Sequence, residues 1–175
     1  MSVIAVKKFE DHVGIAADTQ ITAEGGRIMT AAKFKLIEHE GITIGFSGDA
    51  AIANFLRLYL VNTEVPKVSL ADIGAFIVSF YDYVSTITVE DYNILGSSFI
   101  FASHDRVVAV EDYFTSDVED TYSIGTGMEL CEAMMKKGAT PTQVVEEVCK
   151  VSIFCSPPIE EYRIYADKME YKVYE

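Results

Sequence analysis

The first fifty residues carry short apolar, β-branched runs separated by polar turns, a pattern typical of β-strands. It predicts a hairpin of two strands at the start of the chain and three further short strands after it. These strands are predicted over residues 3–8, 12–17, 27–30, 34–38 and 42–46. The polar stretch that follows the hairpin ends in Gly25-Gly26, so we expect a loop there.

Apolar residues then recur at helical spacing in four segments. Asp49 is a suitable N-cap for a first helix, and Ser69 begins a capping pattern for a second helix over about residues 70–85. A third helix is expected from about Gly127, and a fourth after Thr140-Pro141. The inward-facing residues of the last two helices are predicted to be Leu130, Met134, Met135, Val144, Val145, Val148 and Ile153.

Strands and helices are grouped along the chain, because two helices follow each of the first two β-runs and a third β-run closes the sequence. This order argues against a doubly wound parallel sheet and favours an α+β fold, with helix pairs on the outer faces of two antiparallel sheets. The later strands are predicted over residues 98–103, 107–110, 121–125, 160–166 and 169–174. No linker divides the sequence, so residues 1–175 are expected to form one domain.

The net charge of −13 disfavours two classes of partner. Nucleic acids and anionic membrane surfaces both attract concentrated positive charge, so neither is expected to bind. No apolar run reaches the roughly 18 residues that span a bilayer, and the first residues lack the basic region of a signal peptide. The three cysteines, Cys131, Cys149 and Cys155, have no metal-ligand spacing. Reduced thiols in a cytoplasmic protein are therefore expected.

Several motifs, in chain order, resemble those of proteasome β subunits. Residues 15–22 resemble the Ala-x-Asp-x-x-x-Thr signature, and residues 33–37 resemble the Lys-x-x-x-Leu/Ile strand. Residues 45–48 resemble the Gly-Phe-Ala-Gly turn before the first helix, and residues 124–127 the Gly-Ser-Gly turn before the third. Residues 152–156 resemble a segment of the bacterial HslV-type peptidase. Together these motifs span most of the chain.

The resemblance implies the N-terminal-nucleophile (Ntn) hydrolase fold, a four-layer αββα sandwich of two antiparallel sheets flanked by helix pairs. It implies a cytoplasmic endopeptidase that forms a homo-oligomeric ring, cleaves unfolded proteins or peptides and is fed by a separate AAA+ ATPase. No cofactor is required. Some relatives bind a monovalent cation such as Na⁺ through backbone carbonyls, for which the matching positions are Cys149, Ser152 and Cys155.

The resemblance also assigns site residues by position. The residues matching the catalytic set are Ser2 (nucleophile), Asp18, Lys33 (catalytic lysine), Gly45 (oxyanion-hole N–H) and Thr126 (beside the nucleophile's amine). Ile21, Ala31 and Ile44 match the first specificity pocket, which we expect to be apolar. Lys33 and Lys35 would share a strand face, so periodicity does not choose between them. The spacing to Ile37 follows the family pattern and favours Lys33.

Catalysis by Ser2 would require the removal of Met1. Once Met1 is removed, Ser2 carries both a hydroxyl nucleophile and a free amine that can serve as its base. With Met1 attached, the nitrogen of Ser2 is an amide and accepts no proton. The alternative hypothesis is therefore a catalytically silent subunit of the same fold that keeps Met1 and acts as a structural or binding component. Taken singly, each candidate residue has an ordinary structural explanation, and only their joint pattern favours the peptidase.

Overall fold

The computed structural model describes residues 2–22, 28–88 and 96–175, so the predicted Gly25-Gly26 turn lies outside the described residues. It is a mixed structure of antiparallel strands and helices. The described strands are β1 (Val3–Lys8), β2 (Val13–Asp18), β3 (Gln20–Thr22), β4 (Ile28–Thr30), β5 (Leu36–His39), β6 (Ile42–Ser47), β7 (Ser98–Ala102), β8 (Val107–Glu111), β9 (Phe114–Asp117), β10 (Thr121–Gly125), β11 (Ile159–Ile164) and β12 (Met169–Tyr174). The described helices are α1 (Ala50–Leu60), α2 (Leu70–Ile87), α3 (Met128–Met135) and α4 (Pro141–Val151).

Two five-stranded sheets organise the described part of the chain, with strand orders β10-β1-β2-β11-β12 and β5-β6-β7-β8-β9. All pairings in both sheets are antiparallel. In the first sheet Val3 pairs with Gly125, and Asp18 pairs with Ile159. These registers bring the start of β1, the end of β2 and the end of β10 together at one end of the strands, where the candidate site lies.

Three buried clusters hold these elements together. One joins both sheets and includes Ile4 and Ile15 from the first and Ile100 from the second. Another joins α1 and α2 to the second sheet, and a third joins α3 and α4 to the first sheet. Each sheet therefore buries apolar side chains on both of its faces, against the other sheet on one and a helix pair on the other.

Three of the four predicted helix starts are confirmed by the side chains that cap them. Asp49 accepts the Ala51 N–H, and Ser69 accepts the Asp72 N–H. Thr140 and Gln143 form a reciprocal capping box at the start of α4. By length and composition α2 could cross a membrane. Its inner face is buried in the fold through Ile73, Phe76, Ile77, Phe80, Tyr81 and Val84.

Some local expectations were wrong. Leu130, which the helical spacing predicts to face inward, is 41% exposed, and its neighbour Cys131 is buried instead. Ile153 lies beyond the end of α4 and is 81% exposed. The short strands β3 and β9 were not predicted, because β3 lies in a polar stretch and β9 contains only one large apolar residue.

Candidate active site

Asp18 is the buried anchor of the candidate site, and its side chain is fully excluded from solvent. Its Oδ1 accepts the Lys35 ammonium at 2.7 Å and the backbone N–H of Val3 at 3.0 Å. Its Oδ2 accepts the backbone N–H groups of Gln20 at 3.1 Å and Ser156 at 3.4 Å. Since a buried carboxylate needs partners for its charge, these contacts tie four segments of the chain to one point.

The lysine that reaches Asp18 is Lys35, which corrects the selection of Lys33. Lys33 lies in the turn before β5 with a φ of +55°, and its Nζ is 4.8 Å from the centroid of the Tyr171 ring. Strand β5 begins only at Leu36, so the strand alternation assumed for both lysines does not apply at position 33. The Lys35 side chain is 3% exposed and points into the site.

Ser2 lies next to this ion pair, and its backbone is held by the Gly-Thr-Gly turn. The Thr126 N–H donates to the Ser2 carbonyl oxygen at 2.6 Å. Gly125 has a φ of +84°, and a Cβ at this position would lie 2.1 Å from the same oxygen, so only glycine fits here. Thr126 therefore lies beside Ser2, as the resemblance implied, and contacts it through a backbone hydrogen bond. A role of Thr126 towards the Ser2 amine stays a prediction.

A cleft of about 400 Å³ opens beside Ser2, a volume within the usual range of ligand pockets. Its described lining consists of Ser2, Gln20, Ile21, Thr22, Phe34, Lys35, Phe46, Gly48, Asp49 and Ala50. Ser2 and Lys35, the cation of the buried ion pair, therefore line one cavity that opens to solvent, whereas Asp18 is not among its lining residues. The lining mixes apolar side chains with polar ones.

Of the three residues predicted to line the specificity pocket, only Ile21 lines the described cleft. Ile21 lines the cleft, whereas Ile44 is fully buried in the cluster beneath α1 and α2. Ala31 is half-buried outside the lining, and its N–H donates to the Thr19 carbonyl oxygen at 3.1 Å. Ile44 shares a face of β6 with Phe46, which lines the cleft, but it lies two residues further from the corner with α1 and is covered by the helices.

Gly45 is also placed differently from the expectation. It lies within β6, where a Cβ would come 3.0 Å from Ile4 and 3.2 Å from Ile15, in the cluster between the sheets. Of the two glycines in this segment, it is Gly48, at the corner between β6 and α1, that lines the described cleft. The absence of a side chain at Gly45 therefore serves the packing of the two sheets.

The cysteines near the site are free thiols. Burial raises the pKa of the Cys131 and Cys149 thiols to about 12 and that of Cys155 to about 11. Within the described ranges, no group of three or more His, Cys, Asp and Glu side chains is placed to hold a metal ion. Backbone carbonyls at Cys149, Ser152 and Cys155 are a different kind of site, and the monovalent cation there stays a prediction.

Sequence reasoning missed the contact of Lys35 with Asp18 and the position of Gly48 in the cleft, although both residues lie in the motifs that it considered. The signal for Lys35 was the pair of lysines two residues apart, which left two candidates open. The signal for Gly48 was its position directly before the Asp49 N-cap, at a strand-to-helix corner. Glu160, a fully buried carboxylate that binds the backbone N–H of Lys33, carried no signal in the sequence.

No protein-family model matches the chain, and no curated protein matches its sequence. Solved structures do match its fold. BPH from Thiobacillus denitrificans, in complex with epoxomicin, matches with a TM-score of 0.82 and 16% identity over 93% of this chain and 98% of that one. Anbu, an ancestral β-subunit from Yersinia bercovieri, matches with a TM-score of 0.75 and 10% identity over 98% and 86%.

HslV from Trypanosoma brucei also matches, with a TM-score of 0.67 and 17% identity over 93% of this chain and 99% of that one. At these identities the comparisons show the fold alone. The chain has the proteasome-like, HslV-like Ntn fold, and it covers nearly the full length of these structures.

Proposed function

We propose that the chain is a proteasome-like peptidase subunit that hydrolyses peptide bonds through Ser2 as an N-terminal nucleophile after removal of Met1. The observation that carries the proposal is the shared cleft, in which Ser2 lies beside Lys35 and Lys35 is bound to the buried Asp18. The sheets and helix pairs would form the four-layer αββα arrangement of the fold class, which the three buried clusters support.

In the proposed reaction, the Ser2 Oγ attacks the carbonyl carbon of the scissile peptide while the Ser2 amine takes the hydroxyl proton. The amine then gives this proton to the leaving nitrogen as the C–N bond breaks, which leaves an ester on Ser2. Water, activated by the same amine, hydrolyses the ester and restores the hydroxyl. General acid–base transfer of this kind contributes roughly 10²- to 10⁴-fold to a rate.

Lys35 would act on this reaction through its charge. A cation beside the Ser2 amine favours the neutral amine, which is the form that accepts a proton. Asp18 fixes the position of Lys35 and compensates its charge inside the protein. For the negative oxygen of the tetrahedral intermediate, we propose a backbone N–H at the corner of Gly48, which lines the cleft.

We further propose a cytoplasmic, homo-oligomeric ring that receives unfolded chains or peptides from a partner AAA+ ATPase. The likeness in fold to Anbu, which is described as an ancestral β-subunit, supports self-association. Light scattering of the purified chain tests this proposal, and a monomer at micromolar concentration would contradict it. Na⁺ at the Cys149–Cys155 segment remains a separate proposal.

The peptidase proposal is tested with epoxomicin, the compound bound in the BPH structure. The protein is produced without an N-terminal tag, its intact mass establishes whether Met1 has been removed, and the epoxomicin adduct is mapped by peptide mass spectrometry. We expect an adduct on Ser2 in the processed chain and none in Ser2→Ala. Ser2→Thr is the conservative control and should retain labelling. A processed chain that stays unlabelled and hydrolyses no peptide would instead support the silent subunit.

A further inference from the structure

Glu160, on β11, is a fully buried carboxylate outside the cleft. Its two carboxylate oxygens accept the backbone N–H of Lys33 at 2.7 Å and 2.9 Å. The hydroxyl of Tyr171 also donates to it. Because removing a carboxylate from water costs free energy unless its oxygens are hydrogen-bonded, such a residue is retained where its contacts are needed.

The Lys33 residue that Glu160 holds has an unfavourable backbone conformation. Its φ of +55° lies in the left-handed region, which is strained for a residue other than glycine. Three contacts of Lys33 maintain this backbone conformation. The N–H is bound by Glu160, the carbonyl oxygen accepts the Arg57 guanidinium, and the ammonium lies over the Tyr171 ring. Arg57 also donates to the next carbonyl, that of Phe34, at 3.1 Å.

The turn at Lys33 sets the backbone position from which the Lys35 side chain extends to Asp18. Glu160 follows Ile159, which pairs with Asp18 across neighbouring strands. Two carboxylates from adjacent strands therefore bind the same turn at alternate residues. Glu160 binds the backbone of residue 33, and Asp18 binds the side chain of residue 35.

We propose that Glu160 is a positioning residue, which fixes the turn at Lys33 so that Lys35 reaches Asp18 and the cleft at Ser2. The effect on catalysis rests on the proposed function, whereas the effect on the position of Lys35 does not. Glu160 lies outside the cleft lining and acts through the backbone.

The neighbouring Glu161 provides a matched control. It is also buried, at 2% exposure, but its described hydrogen bonds go to Arg163 and Tyr174 and not to the turn. Glu160→Gln and Glu161→Gln each replace a buried carboxylate by an amide of the same shape. A loss of stability common to both variants is thereby separated from an effect specific to the turn.

Crystal structures of the two variants give the first readout, which does not depend on activity. In Glu160→Gln we expect the Lys35 Nζ to lie beyond about 4 Å from the Asp18 carboxylate, the usual limit of an ion pair. In Glu161→Gln the 2.7 Å contact should remain. An unchanged contact between Lys35 and Asp18 in Glu160→Gln overturns the proposal, whether or not the wild type is active.

The second readout is the rate of epoxomicin labelling as a function of pH. Displacing Lys35 should slow labelling of Glu160→Gln roughly 10- to 100-fold and move its rise to higher pH, because the Ser2 amine loses its neighbouring cation. Glu161→Gln should keep the wild-type pH profile.

A rescue completes the test, since glycine adopts the left-handed conformation without strain. Adding Lys33→Gly to Glu160→Gln should restore part of the labelling rate. Equal effects of the two glutamine variants contradict a positioning role. If the wild type itself is not labelled, the proposed function fails, and the crystal structures still decide the positioning role.

Discussion

The Nζ of Lys35 lies 2.7 Å from the Oδ1 of Asp18, and both side chains are almost completely excluded from solvent. A pair of this kind is expensive to break from one side, because the remaining charge stays buried without its counter-ion. The backbone N–H groups of Val3, Gln20 and Ser156 satisfy the other acceptor positions of Asp18. The pair therefore fixes the geometry of the site as well as its charge.

Lys35→Met should slow peptide hydrolysis roughly 10²-fold or more and should lower the free energy of unfolding by about 3–5 kcal/mol. Lys33→Met is the matched control, because Lys33 contacts Tyr171 and not Asp18. We expect it to stay within about threefold of wild-type activity. Peptide turnover and urea unfolding measure the two effects. Loss of activity in Lys33→Met, with Lys35→Met active, would return the catalytic lysine to position 33.

Gly125→Ala should disrupt the site. The added methyl would collide with the Ser2 carbonyl oxygen, which lies 2.1 Å from the Cβ position, in addition to the strain of a φ of +84°. Gly41→Ala has nearly the same φ, +82°, with nothing within 4 Å. Its free energy of unfolding should fall by only about 1–2 kcal/mol, which is the cost of placing alanine in the left-handed conformation. Thermal unfolding and labelling of Ser2 compare the two variants, and equal losses would rule out a steric role of Gly125.

Substrate preference should respond to Ile21 and not to Ile44. Ile21→Ala enlarges the cleft and should change the relative kcat/KM for peptides with small and large side chains before the cleaved bond. Ile44→Ala removes a fully buried core side chain and should lower the free energy of unfolding by about 2–5 kcal/mol. Its preference among peptides should match the wild type. A panel of fluorogenic peptides gives the measurement, and a change of preference in Ile44→Ala alone would contradict the observed lining.

Stability should fall in alkaline solution. Burial raises the pKa of Cys131 from 9.0 to about 12. Below pH 9 the thiol is protonated in both the folded and the unfolded chain. Between pH 9 and about 12 only the unfolded chain loses the proton, so the free energy of unfolding decreases as the pH rises through this window.

Urea unfolding between pH 7 and pH 10 measures this pH dependence. Cys131→Ala is the control and should show a shallower slope above pH 9. Both proteins keep part of the slope, because burial also raises the pKa values of Cys149, Cys155 and Tyr81. An identical pH dependence in the two proteins would contradict a titrating Cys131.

The order of the elements could be predicted from the sequence because caps and periodicity are local signals. Thr140 caps α4 as expected, since the capping residues lie within one turn of each other. The inward face of α3 was less predictable. Met135 is buried, but Leu130 is exposed and Cys131 is buried, because the short helix is oriented by its packing on the first sheet.

The choice between Lys33 and Lys35 could not be made from the sequence. It depends on a left-handed residue in the turn before β5, and that conformation is maintained by Glu160, 127 residues further along the chain. Spacing within a motif carries no information about such a contact. In the same way, Gly45 and Gly48 are three residues apart, and only the packing of the two sheets assigns one to the core and the other to the cleft.

Strand β1 lies between β10 and β2, and it begins directly after Ser2, which is only 6% exposed and lines the cleft. An affinity tag or fusion partner joined ahead of Ser2 would therefore be attached at the cleft and would convert the Ser2 amine into an amide. The other end of the chain is suited to such an attachment, because β12 is an edge strand and Glu175 is exposed. Recombinant protein for these experiments should carry its tag at the C-terminus.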